Sequence, residues 1–234
     1  MIGVGEVAVC VGTDDADVAA HLQPWHIDEP AGLVDFGLTM HPPVRPRGVP
    51  RELPSLRHGT EVMARAHDTA ALCDGLLRTL AGLGPAPADT IRLTGVPLLR
   101  DGAVDLAPPA LAAALPSRWL AAHGYTPVYT QSVTIHPATM AVHIPAPLGS
   151  DAAPIVAPLG RWWVTLNDPT ASLTFAELMV RTAPRLDLAV PATAALTGLM
   201  SLMQQLPPLP VSAARGDLQA ALFGAPSTFG ACTP

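Results

Sequence analysis

Apolar residues run through this chain in short stretches, each closed by glycine, proline or an acidic pair, and this punctuation predicts alternating strands and helices. Val7 to Val11 reads as a short strand ending in Gly12-Thr13-Asp14-Asp15, where Thr13 or Asp14 caps a helix running to about Leu22. Leu33 to Met40 reads as a second strand. His41 to Pro54 carries five prolines and three arginines, which excludes a central strand or a helix and predicts an exposed connection. A hairpin-like stretch, Leu56 to Ala66, precedes an amphipathic helix from about Thr69 to Leu83. Leu72, Leu76, Leu77, Leu80 and Leu83 share one face of it, and Gly82, Gly84 and Pro85 stop it.

From Ile91 the spacing changes to that of paired strands. Ile91 to Leu99, a turn at Arg100-Asp101-Gly102, and Ala103 to Leu106 form the first pair. Pro108-Pro109 opens a short helix to Leu115 or, past Pro116, to His123. Pro127 to Ile135 and Met140 to Ile144 are joined by His136-Pro137-Ala138-Thr139, and Arg161 to Leu166 is an aromatic strand. Ser172 to Phe223 reads as helical, with breaks at Pro184, Pro191 and Pro207 to Pro210. These elements predict an α/β or α+β fold, a mixed sheet flanked by helices with a helical C-terminal part. Residues 1–88 form an N-terminal α/β lobe and 89–234 a sheet domain.

Composition narrows the chemistry. A chain of 234 residues buries roughly 70 to 75 % of its unfolded surface, so its core needs no disulfides or metals. All 13 basic residues other than histidine are arginines, so Schiff bases, a lysine general base and a lysine phosphate clamp are excluded. A net charge of -6 with dispersed arginines argues against a nucleic-acid partner. Cys10, Cys73 and Cys232 are odd in number and far apart, which indicates neither a disulfide framework nor a zinc site. No basic segment followed by an apolar one opens the sequence, and every apolar run breaks before membrane-spanning length. The expectation is a cytoplasmic protein with no membrane partner.

Leu93-Thr94-Gly95-Val96, the strand Ala103 to Leu106, the helix Pro109 to Ala122, His123-Gly124-Tyr125 and the strand Pro127 to Ile135 resemble, in order and spacing, the HPr kinase/phosphorylase family and its relatives in peptide-natural-product clusters. His136-Pro137-Ala138-Thr139 looks like that family's hairpin, and Asp35-Phe36-Gly37-Leu38 resembles the first lobe of such proteins. Where the family does its chemistry the chain departs. A phosphate-binding loop needs glycines, a lysine and a hydroxyl, but Leu106-Ala107-Pro108-Pro109-Ala110-Leu111 has none of them. Thr94 stands at the family's strand histidine, and Thr130-Gln131 at its acidic pair, neutral and weak as metal ligands.

The resemblance therefore implies a degenerate, pseudokinase-like member that works without a nucleotide or other cofactor in the making of ribosomal peptide natural products. Its partner is a precursor peptide or a modifying enzyme, and a homodimer is compatible with the pattern. Either it binds peptide without chemistry, or it performs a cofactor-free reaction such as lanthipeptide-type ring closure, which needs only positioning, a base for the thiol and a proton donor for the enolate. His123, Tyr129, His136 and His143 are the candidate acid–base groups. His136 and His143 flank one hairpin and can approach each other, and neither they nor His58 and His67 have zinc-site spacing.

The expected peptide groove is bordered by Leu93, Thr94, Thr130 and Gln131 and by Arg161-Trp162-Trp163. Adjacent strand residues face opposite ways, so one tryptophan is expected inside and the other at the surface beside the arginine. Leu196, Leu199, Met200, Met203 and Leu206 share a helix face suited to a core or a dimer contact.

Overall fold

The computed structural model of the protein describes residues 2–4, 7–13, 15–26, 34–41, 55–58, 61–65, 69–82, 86–87, 89–108, 115, 117–130, 132–166, 173–186, 192–212 and 222. The described strands form two sheets. The first joins β1 (Ile2–Val4), β2 (Val7–Gly12), β3 (Val34–His41), β4 (Ser55–His58) and β5 (Glu61–Arg65) in chain order. β2 and β3 run parallel; the other neighbours are antiparallel. The proline-rich segment 42–54 lies outside the described residues.

Between β2 and β3 sits α1 (Ala16–Leu22). Its cap is Asp15, one residue beyond the expected position: the carboxylate accepts from the backbone N–H groups of Asp17 and Val18, while Thr13 Oγ1 accepts from Asp15 N at 3.1 Å. α2 (Thr69–Ala81) buries the expected leucine stripe, Leu72, Leu76, Leu77 and Leu80, together with Cys73. Leu83 lies outside the described residues. Gly75 is needed there, because a Cβ would stand 2.7 Å from Tyr129 Cβ.

Burial, reinforced by the carboxylates of Asp74 and Asp15, pushes the Cys73 thiol up to about 12. Iodoacetamide at pH 8 is therefore expected to leave Cys73 unmodified in the native protein and to label it in denaturant. Peptide mapping checks this, and labelling of Cys73 in native protein would contradict the burial.

The second sheet has eight strands, in the order β6-β10-β11-β12-β8-β7-β9 with β13 beside β12. They are β6 (Ile91–Thr94), β7 (Val96–Arg100), β8 (Ala103–Ala107), β9 (Thr126–Pro127), β10 (Ser132–His136), β11 (Ala141–Ile144), β12 (Ile155–Leu166) and β13 (Leu209–Ser212). β8 runs parallel to β12, as does β13. With α3 (Ser117–Ala122), α4 (Phe175–Thr182) and α5 (Ala192–Gln205) beside α1 and α2, this is the expected mixed sheet flanked by helices. Among the described residues no helix is long and apolar enough to cross a membrane.

Several elements differ from their expected extents, for local reasons. Ile91 to Leu99 is two strands, because the chain bends at Gly95, where a Cβ would meet Leu106 Cδ1 at 2.6 Å. β6 then joins β10, and β7 joins β8 and β9. Pro127 to Ile135 also divides, since Val128 N is donated to Pro97 O and β10 pairs only from Ser132. The helix after Pro108 is confined to Ser117–Ala122 among the described residues. β12 begins at Ile155, six residues before Arg161, with Pro158 inside it. The proline-marked stretch after Gln205 yields β13, which among the described residues pairs only with β12; an edge strand tolerates Pro210.

The expectation that one of Trp162 and Trp163 reaches solvent is overturned: both are 0 % exposed. They do face opposite ways, Trp162 into a core with Leu159, Leu202 and Met203 and Trp163 into one with Leu115, Leu120, Tyr125 and Val211. Both faces are covered because this half of β12 lies between two parallel strands, β8 and β13, with helices on each side. α5 is rotated from the expected face. Ala195, Leu199, Leu202 and Met203 are buried, whereas Leu196 and Met200 are exposed. Gly198 sets that rotation, since a Cβ there would collide with Ile91 Cγ2.

Candidate functional site

Strand alternation builds a polar face opposite α5. In β6, β10 and β11 the residues Ile91, Leu93, Val133, Ile135, Val142 and Ile144 enter the core shared with Leu199, Leu202 and Met203. Their neighbours Arg92, Thr134, His136 and His143 therefore point the other way. The register pairs Thr134 with Arg92 on one side and with His143 on the other, making one row across three strands. His136 pairs with Ala141, so it is the diagonal neighbour of His143 on the same face.

These four residues line a cavity of about 380 Å³. Its walls include Ala81 and Gly82 at the end of α2, together with Pro87, Pro145 and Pro154. The end of α2 is tied to the site, as Arg78 Nη1 donates to Pro145 O at 2.8 Å. Thr90, another lining residue, donates its hydroxyl to Pro87 O at 2.7 Å and steadies the chain entering β6. Arg92 is 4 % exposed and His143 is exposed. The Nδ1 atom of His136 is buried and has no hydrogen-bond partner among the described residues. A size of this order suits a small molecule or a few side chains, with a few polar groups fixing orientation.

Of the expected acid–base candidates, the fold brings His136 and His143 into this one pocket. His123 stands apart and exposed after α3, with Nδ1 2.7 Å from Trp119 O. Tyr129 packs with the α1–α2 cluster against Gly75. Sequence reasoning missed Arg92 and Thr134. The signal for them was an arginine between Ile91 and Leu93, in a strand whose alternation sets it on the polar face beside a threonine.

The expected groove residues do not form an open groove. Leu93 is 0 % and Thr130 6 % exposed, and the Thr130 hydroxyl donates to Ser132 O at 3.1 Å. Gln131 lies outside the described residues. The Thr94 carbonyl accepts from Arg185 Nε at 2.9 Å and from Nη2 at 2.7 Å, and Arg185 Nη1 donates to Trp163 O. Burial pushes the Arg185 guanidinium down to about 10. It ties β6 to β12.

Arg161 is engaged as well. Nη2 reaches Asp105 Oδ2 at 2.7 Å and also donates to the Tyr125 hydroxyl, while its backbone N–H meets Asp105 Oδ1 at 2.9 Å. Among the described residues no group of three or more histidine, cysteine or acidic side chains is placed to hold a metal ion.

No protein-family model, curated protein or solved structure matches this chain significantly.

Proposed function

We propose that the chain is a nucleotide-independent protein of ribosomal peptide natural-product biosynthesis that takes a segment of a precursor peptide at the Arg92–Thr134–His136–His143 pocket. The observation that carries this reading is the pocket itself. Charged, hydroxyl and imidazole groups lie along one strand row, walled by three prolines that hold their shape without ordering on binding. The peptide setting is supported by the order of elements that resembles the HPr kinase/phosphorylase family. The nucleotide independence is supported by Leu106-Ala107-Pro108, buried and without glycine where a phosphate cradle would lie.

Two imidazoles at diagonal positions also meet the needs of a cofactor-free ring closure. One accepts the proton of a cysteine thiol as sulfur bonds to the β-carbon of a dehydrated residue; the other delivers a proton to the resulting enolate carbon. Atoms and charge balance without nucleotide or oxidant.

A dehydrated, thiol-containing peptide is expected to bind with the same affinity whether or not magnesium and ATP are present, and calorimetric titration with magnesium and ATP is expected to be silent. Alkylation followed by mass spectrometry reads ring formation. Protection of the thiol that is lost in His136→Gln or His143→Gln identifies catalysis, and binding without protection identifies a binder. Absence of peptide binding, or micromolar affinity for ATP, would overturn the proposal.

A further inference from the structure

We infer that the group this pocket receives is a carboxylate, from an acidic side chain or from the C-terminus of a peptide. The inference rests on the peptide reading only for the source of that carboxylate. Among the described residues that line it none is Asp or Glu, although the chain has 19 acidic residues against 13 arginines. The polar groups that do line it are Arg92, Thr90, Thr134 and two imidazoles. A guanidinium presents a flat fork that matches the two oxygens of a carboxylate, and a bond between charged partners is about twice as strong as a neutral one.

Arg92, Thr134 and His143 stand side by side on consecutive strands, so the row presents donors along one line. His136 lies two residues along β10 from Thr134 and closes the corner of the floor. Its buried Nδ1 has no hydrogen-bond partner among the described residues, so a bound group can supply one.

The walls decide between carboxylate and phosphate. A phosphate monoester exposes oxygens in three directions, and here the sides facing Ala81, Pro87, Pro145 and Pro154 would leave oxygens against apolar surface. A carboxylate needs donors on one side only. The same walls suit the methylene stem of glutamate or the backbone leading to a C-terminus.

The test uses the full-length protein labelled with ¹³C and ¹⁵N in histidine, titrated with acetyl-glutamate N-methylamide, its glutamine counterpart and methyl phosphate. The imidazole resonances of His136 and His143 are expected to shift saturably with the glutamate compound and to respond at least about tenfold more weakly to glutamine, the factor that corresponds to losing one charge-assisted bond. Arg92→Met is expected to remove the response. Because Arg92 is nearly buried, Thr134→Val, of similar shape, provides a second variant and is expected to weaken it several-fold.

Equal responses to glutamate and glutamine, tighter binding of methyl phosphate, or no imidazole shift at millimolar concentrations would each overturn the carboxylate assignment. Peptide binding with silent imidazoles would sink this inference and leave the peptide reading standing. Imidazole shifts with the acid but no affinity for the peptide would do the reverse.

Discussion

Replacing Arg161 by methionine is expected to destabilise the protein by about 3 to 5 kcal/mol, since it strands a buried carboxylate. Asp105 is 5 % exposed on β8, and its charge is met by the guanidinium of Arg161 on the neighbouring β12 at 2.7 Å. The backbone N–H of Arg161 and the hydroxyl of Tyr125 complete its shell at 2.9 and 3.2 Å. Burial, then the Asp105 carboxylate, raise the pKa of Tyr125, which keeps that hydroxyl a donor. Removing the guanidinium leaves the buried carboxylate with two neutral donors.

Arg161→Lys is expected to fall between, because an ammonium replaces one charge but not the fork that also holds Tyr125 and lies 5.1 Å over the Trp163 ring. Replacing both partners, Arg161→Met with Asp105→Leu, is expected to return much of the loss, since no charge then needs a partner. Urea denaturation of the four proteins measures these differences, and a thermal shift on the order of 10 °C accompanies the largest in a chain of this size. A loss below about 1 kcal/mol for Arg161→Met would mean that water reaches Asp105 and that the pair behaves as a surface ion pair.

Local periodicity was legible in the sequence where one residue type carried it. The leucines of α2 repeat at helical spacing and are buried as expected. A strand ending near Ile135 and a turn through Pro137-Ala138-Thr139 were legible too, although the sequence places His136 in the turn and the structure makes it the last residue of β10. What escaped was set by partners distant in the chain. Asp105 and Arg161 are 56 positions apart, and nothing local marks either as the other's counterion. β13 contains a proline that reads as a break, and only its edge position makes it a strand. The pocket was half legible: His136 and His143 stand out around a hairpin, whereas Arg92 joins them only through the β6–β10 pairing.

The tryptophans give the sharpest contrast between a binding surface and a core. Trp162→Ala and Trp163→Ala are each expected to cost about 3 to 5 kcal/mol, the range for removing a large aromatic from a packed interior. The conservative replacements should separate the two sites. Trp162 donates its indole N–H to Leu206 O at 2.7 Å, so Trp162→Phe loses both volume and a buried hydrogen bond. The indole nitrogen of Trp163 is buried without a hydrogen-bond partner among the described residues, so Trp163→Phe removes a donor that satisfies nothing there.

Trp163→Phe also keeps an aromatic face under the Arg161 guanidinium. Trp162→Phe is therefore expected to be the more destabilising by about 1 to 2 kcal/mol, the cost of leaving a buried acceptor unpaired. Neither phenylalanine variant is expected to change the response of His136 and His143 to a carboxylate, because neither tryptophan lines that pocket. Chemical denaturation together with the imidazole titration reads both quantities on the same samples. A Trp163→Ala protein of full stability that had lost peptide binding would reverse the assignment and return this tryptophan to the surface.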